Sequence, residues 1–156
     1  MNKSLNYILT ILLLFLLSCA YKPYLKNYQF SVNVNSKSGN KKINSIIISK
    51  FESLKESSEN YNLDLQSNLV KKIISKDSKG DPAVYELSTN VRYIVKNNDE
   101  ILIDKNIKRK TTYNNISDKF ELENYEDTII TNLSKIISED ILSSISEING
   151  WSLSLL

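Results

Sequence analysis

The chain has 156 residues, 41% apolar and 24% charged, with three Gly, two Pro and a formal charge of +2. That length suits one domain able to bury about two-thirds of its unfolded surface, and the near-neutral charge gives no sign of a general nucleic-acid binder. The absence of His removes His general bases, Ser-His-Asp and Cys-His triads and His-containing zinc sites, and a single Cys removes disulfide frameworks and CxxC chemistry.

Among the 20 basic residues only Arg92 and Arg109 are not Lys, and Asn and Ile are as heavily used. Coding rich in A and T favours all three residue types. A scattered lysine is therefore read first as a solvated side chain.

Met1-Asn2-Lys3 is a short basic start, and Ile8 to Leu17 is an apolar run. Ten helical residues span about 15 Å, half of a ~30 Å hydrocarbon core, so the run is a signal h-region and not a transmembrane helix. It leads into Leu16-Leu17-Ser18-Cys19, which resembles a bacterial lipobox. Such a box implies diacylation of the thiol, removal of residues 1–18 and acylation of the new amino group. The competing reading is a buried free thiol behind an ordinary cleavable signal, and a sole cysteine at the end of the h-region disfavours it. Several acyl chains anchor stably where one binds marginally. Ala20 follows the cysteine in place of the Asp that often retains such proteins in the inner membrane, so the expected location is the periplasmic face of the outer membrane.

Residues 19–28 read as an acylated tether, with Pro23 and Tyr21, Tyr24 and Tyr28. Phe30, Val32 and Val34 alternate with polar residues as a strand, which the Ser36–Asn40 stretch around Gly39 should break. Ile43, Ile46, Ile47, Phe51 and Leu54 share one helical face. From Asn60 the period becomes two: Leu63, Leu65, Leu69 and Ile73 share a parity. A turn at Lys79-Gly80-Asp81-Pro82 precedes Tyr85, Leu87, Thr89, Val91, Tyr93 and Val95, the cleanest alternation in the chain. Asn97-Asn98-Asp99 turns into a partner strand with Ile101, Ile103 and Ile107 that reaches Tyr113. These three runs predict an antiparallel meander with one buried face.

Asp118 with Glu121 is a capping-box signal opening the longest element. Its apolar stripe takes in Leu122, Tyr125, Ile129, Ile130, Leu133, Ile136, Ile137, Ile141, Leu142, Ile145 and Ile148, giving a helix of about 28 residues that ends at Gly150. The order β-α-β-β-β-α predicts an α+β two-layer sandwich, with two helices on one face of a mostly antiparallel four-stranded sheet. The domain would span 29–150, with 151–156 as a short apolar tail that packs back or docks a partner. Glu86, Ser88, Asn90 and Arg92 mark a polar second face, solvated or enclosed in something larger.

At this point the chain resembles the LPS-assembly lipoproteins (the LptE family). The resemblance rests on the lipobox cysteine followed by Tyr21-Lys22-Pro23, on Lys79-Gly80 leading to Tyr85-Glu86-Leu87, and on Arg109 leading to Tyr113-Asn114-Asn115 before the long helix. That last run is similar to the versions from alpha-type proteobacteria. Ala20 stands where the family usually has Gly. The resemblance implies a non-enzymatic role with no cofactor: a plug inside the large outer-membrane β-barrel (LptD-like) that inserts LPS, assisting barrel folding and contacting LPS.

Lys105, Lys108, Arg109 and Lys110 form the densest basic run, and Lys76, Lys79 and Lys119 fall at one end of the meander. Such clusters hold anionic phosphates by charge-assisted hydrogen bonds, so these seven are the candidate LPS contacts, weighed against a solvated surface. The pairs Asp99-Glu100, Glu126-Asp127 and Glu139-Asp140 lie at turns or on polar helix faces, and nothing makes them converge as acid and base. Tyr85, Tyr93, Tyr113 and Tyr125 occupy apolar parities and are expected in the core. The alternative function is an accessory binding lipoprotein of another envelope complex, in outer-membrane protein assembly or lipid export.

Overall fold

The computed structural model describes Tyr28, residues 30–54, Ser57 and residues 59–153. Strand β1 (Phe30–Gly39) is followed by helix α1 (Lys41–Glu52), strands β2 (Glu59–Lys76), β3 (Pro82–Asn97) and β4 (Glu100–Asn114), and helix α2 (Lys119–Leu153). The sheet order is β1-β2-β3-β4, with β1 parallel to β2 and the other pairs antiparallel. This is the expected mixed α+β sandwich.

Local chemistry accounts for each turn. The Asn40 side chain accepts from the Ile43 backbone N–H at 3.1 Å and opens α1. Asp77 Oδ1 accepts from the N–H groups of Lys79 and Asp81, and Gly80 supplies φ +90° in the β2–β3 turn. Asn98 at φ +52° closes the β3–β4 turn. Asp118 Oδ1 accepts from Phe120 and Glu121 N–H at 2.8 and 2.9 Å, capping α2 as the sequence predicted.

The core lies between the sheet and the helices. Phe30, Ile43, Ile47, Phe51, Leu63, Leu87, Val91, Tyr93, Ile137, Ile141, Leu142 and Ile145 are essentially sealed from solvent. The two helices run parallel, since Lys42 pairs with Asp127 and Lys50 with Glu139. Helix α2 runs antiparallel to β4: Glu126 bonds Tyr113, and Asp140 bonds Arg109.

The molecule thus has two ends. Tyr28, the β3–β4 turn and the C-terminal end of α2 share one, the proximal end. The β2–β3 turn, Asn114 and Lys119 share the other, the distal end; Asn115 N–H ties it together by donating to Ala83 O at 2.8 Å. Strand β2, at about 3.3 Å per residue, makes the ends some 60 Å apart.

Several expectations change. Strand β1 runs on to Gly39 through a bulge between Val34 and Ser36, which lets the polar tail keep pairing with β2. Helix α2 has 35 residues and passes through Gly150, so 151–153 continue the helix instead of forming a tail. Gly150 weakens a helix by about 1 kcal/mol relative to Ala without breaking it. Residues 154–156 lie outside the described residues. Tyr125 is exposed on the overhanging first turns of α2, and Ile73 is 50% exposed because β2 outruns the helices there.

Candidate functional site

The distal end gathers the predicted Lys76, Lys79 and Lys119. Lys76 lies opposite Pro82 at the end of β2, Lys79 sits in the turn and Lys119 begins α2. All three are exposed, and among the described residues none has a carboxylate partner within 4 Å. The same end carries exposed apolar side chains that sequence reasoning missed: Ile73, Ile74 and Phe120, the last 74% exposed. Of these only Ile73 shares the core parity of β2, and the missing helix cover exposes it; Ile74 falls at a bulge in β2 and Phe120 precedes the apolar stripe of α2.

The four-residue basic run of β4 does not form one cluster. Residues alternate across a strand, so Lys108 and Lys110 project from the outer face while Lys105 and Arg109 project toward α2. Arg109 is bound by Asp140, its Nε donating at 3.0 Å, and Lys110 pairs with Glu86 at 2.8 Å. Lys105 lines a shallow cleft of about 400 Å³ with Tyr93, Arg109, Asp140, Ser144 and Glu147. Tyr93 Oη and Ser144 Oγ are hydrogen-bonded at 3.1 Å at its floor. Two of the predicted contacts are therefore already neutralised within the domain.

Near the distal end Glu126 organises a small network. It accepts from the Tyr113 hydroxyl at 2.6 Å and from Lys71, whose ammonium also lies 4.3 Å over the Tyr85 ring. Tyr85 stacks on Tyr113. Burial, then the neighbouring Glu126 carboxylate, pushes the Tyr113 phenol well up. This network pins the overhanging start of α2 to β2 and β4.

The sheet's outer face is predominantly polar, interrupted by Val70, Val84 and Ile94. Asp64 accepts from Lys96 at 2.8 Å, from Ser36 at 2.6 Å and from Asn35 at 3.0 Å. Those donors, Lys96 first, hold its carboxyl down at about 2. Arg92 grips Asp104 with two N–H groups at 3.1 and 2.8 Å, which lowers that carboxyl as well. Asn90 Oδ1, on the same face, is buried without a partner.

The helix carboxylates do not converge. Glu126, Asp127, Glu139 and Asp140 each meet a different cation: Lys71, Lys42, Lys50 and Arg109. No group of three or more His, Cys, Asp or Glu suited to a metal occurs among the described residues. Cys19 and the rest of the tether before Tyr28 lie outside the described residues.

No protein-family model matches the sequence, and no curated protein sequence matches it. Among solved structures the chain is similar to the rare lipoprotein B of Shewanella oneidensis, with TM-score 0.57 and 15% identity over 78% of this chain and 99% of that one. It is similar to a lipoprotein B of Nitrosomonas europaea, with TM-score 0.59 and 14% identity over 80% and 88%. A minor lipoprotein of Acinetobacter baumannii matches with TM-score 0.51 and 11% identity over 75% and 92%. The β-α-β-β-β-α sandwich of this chain is the fold of those bacterial lipoproteins.

Proposed function

We propose that the protein is an outer-membrane lipoprotein of the LPS-assembly (LptE) family, acylated at Cys19, which plugs the LPS-translocating barrel, assists its assembly and contacts LPS. The observation that carries this reading is the conjunction of two independent features. A lipobox-like Leu16-Leu17-Ser18-Cys19 precedes, by a short tether, the fold shared with the rare lipoprotein B structures. Either feature alone is common; together they narrow the field.

The surface supports the reading. A porin-like lumen is polar, and the outer sheet face offers Asn, Ser and paired charges along its length. The exposed Lys76, Lys79 and Lys119 beside Phe120 and Ile74 combine cations with apolar side chains, the chemistry of an amphiphile carrying phosphate. Nothing in the carboxylate pattern supports a hydrolytic site.

The test is affinity purification of the acylated protein from its own envelope, with mass spectrometry of what remains bound. The expected result is an LPS-translocating barrel together with LPS. Recovery of a protein-assembly or lipid-export complex in its place overturns the reading in favour of the alternative. Cys19→Ala, in a strain lacking the barrel, should move the protein to the soluble fraction; retention in the outer membrane overturns the anchoring claim.

A further inference from the structure

Strand β1 covers only half of β2. It leaves the sheet at Gly39, whose φ of +91° and close approach to Ser67 turn the chain into α1. The last contact between the two strands is Asn40 N–H donating to Ser67 O at 3.2 Å. Beyond that point β2 continues to Lys76 paired with β3 alone. The N–H and C=O of one strand residue point to the same side, and the side alternates along the chain. Since Ser67 faces β1, the backbone groups of Leu69, Lys71 and Ile73 face open solvent, while those of Asn68, Val70 and Lys72 serve β3.

We propose that this free segment of β2 is a docking edge for an extended strand of a partner protein, one that carries carboxylates on its outer-face side and apolar side chains on its helix-facing side. Three observations select that occupant. The stretch 68–76 holds no acid, and its Lys72 and Lys76 have no carboxylate partner within 4 Å among the described residues, while Lys71 is taken up by Glu126 on the helix-facing side. On the outer face Lys72, Lys108 and Lys110 surround the single carboxylate of Glu86, leaving cations in excess. On the helix-facing side Leu69 is partly buried and Ile73 half exposed, a stripe that an added strand's apolar residues would cover.

Other occupants fit less well. A second copy would set lysines against lysines across the edge, and lysine at an edge opposes self-pairing. The chain's own residues 20–27 join Tyr28, and eight residues span at most about 29 Å. From the level of Phe30, paired with Glu59, Leu69 is about 33 Å along β2. The β1 and β4 edges are also open, but β4 carries Glu100 and Asp104 among its cations, and half of β1 is Ser and Asn. Edge-adding strands bind through main-chain hydrogen bonds and take specificity from alternate side chains.

The proposal is independent of LPS assembly. Its test uses the acylated protein in detergent and a blocked ten-residue peptide of alternating valine and glutamate. The peptide should slow amide exchange at Leu69, Lys71 and Ile73 by about tenfold or more and leave the β1 and β4 edges unchanged, whereas a valine–lysine peptide should not bind. Ile73→Pro removes an outward N–H but no bond to β3, and should weaken binding at least about tenfold. Lys72→Glu should reverse the preference toward the lysine peptide. If Ile73→Pro fails to fold by circular dichroism, Lys72→Glu decides alone. Protection at another edge, equal affinity for both peptides, no saturation up to millimolar peptide, or a dimer closed through this edge overturns the proposal.

Discussion

Asp64 sits on the outer face where β1, β2 and β3 adjoin, and its three donors come from the two flanking strands. The free carboxyl titrates near 3.8 and the folded one near 2. A depressed carboxyl stabilises the fold above its unfolded pKa and loses that contribution as pH falls through the folded value. Asp64→Asn should therefore lower stability at pH 7 by roughly 1 kcal/mol, after discounting for solvent at this partly exposed site. The gap from the parent should narrow between about pH 4 and pH 2. Thermal melts by circular dichroism at three pH values check it; a gap that persists at pH 2 would assign the effect to packing. Nothing in the sequence around Asp64 announced this, because its partners lie 28 to 32 residues away and meet it only through strand register. The split of Lys105 and Arg109 from Lys108 and Lys110 was legible, since the same period of two that defined β4 sends neighbours to opposite faces.

At the scale of the elements, periodicity carried most of the fold. The β3 alternation from Tyr85 to Val95 and the α2 stripe from Ile129 to Ile145 stand in the structure as read, apart from the half-exposed Ile136. Errors came where an element outruns its neighbours. Ile73 and Tyr125 belong to segments that overhang the core, and no local pattern reports how far a packing partner extends. Helix α2 overran Gly150 because a single glycine penalty is small beside the cooperativity of a long helix. The stripe makes a direct prediction. Leu133 is 8% exposed, and Leu133→Asp would remove core volume and bury an unpaired carboxylate. A loss of several kcal/mol is expected, a large part of a domain's whole stability. The measurement is a urea unfolding midpoint, with Ile136→Asp on the exposed side of the same helix as comparison. Equal losses at the two positions would show that the stripe does not face the core.

For the whole molecule, the separation of its ends matters most. Tyr28 and the β3–β4 turn share one end, while Lys76, Lys79 and Lys119 stand about 60 Å away along β2. With Cys19 acylated as proposed, a distal surface that contacts LPS would meet it well away from the anchoring leaflet. Lys79→Glu with Lys119→Glu should weaken LPS binding strongly, because each site loses a charge-assisted contact of ~1.5–3 kcal/mol and gains repulsion from phosphate. The comparison pair must carry the same charge change without breaking the fold. Lys42 is unsuitable, since it pairs with Asp127 at 2.7 Å and bridges the two helices. Lys41 and Lys135 are both exposed and have no ion pair within 4 Å among the described residues. Binding of both double variants is measured at low and moderate salt, because exposed charges are screened beyond about 10 Å at 0.1 M. A distal site predicts a large, salt-sensitive loss for Lys79/Lys119 and a small one for Lys41/Lys135. Equal losses would reduce the effect to net charge, and the distal lysines would then be ordinary solvated side chains.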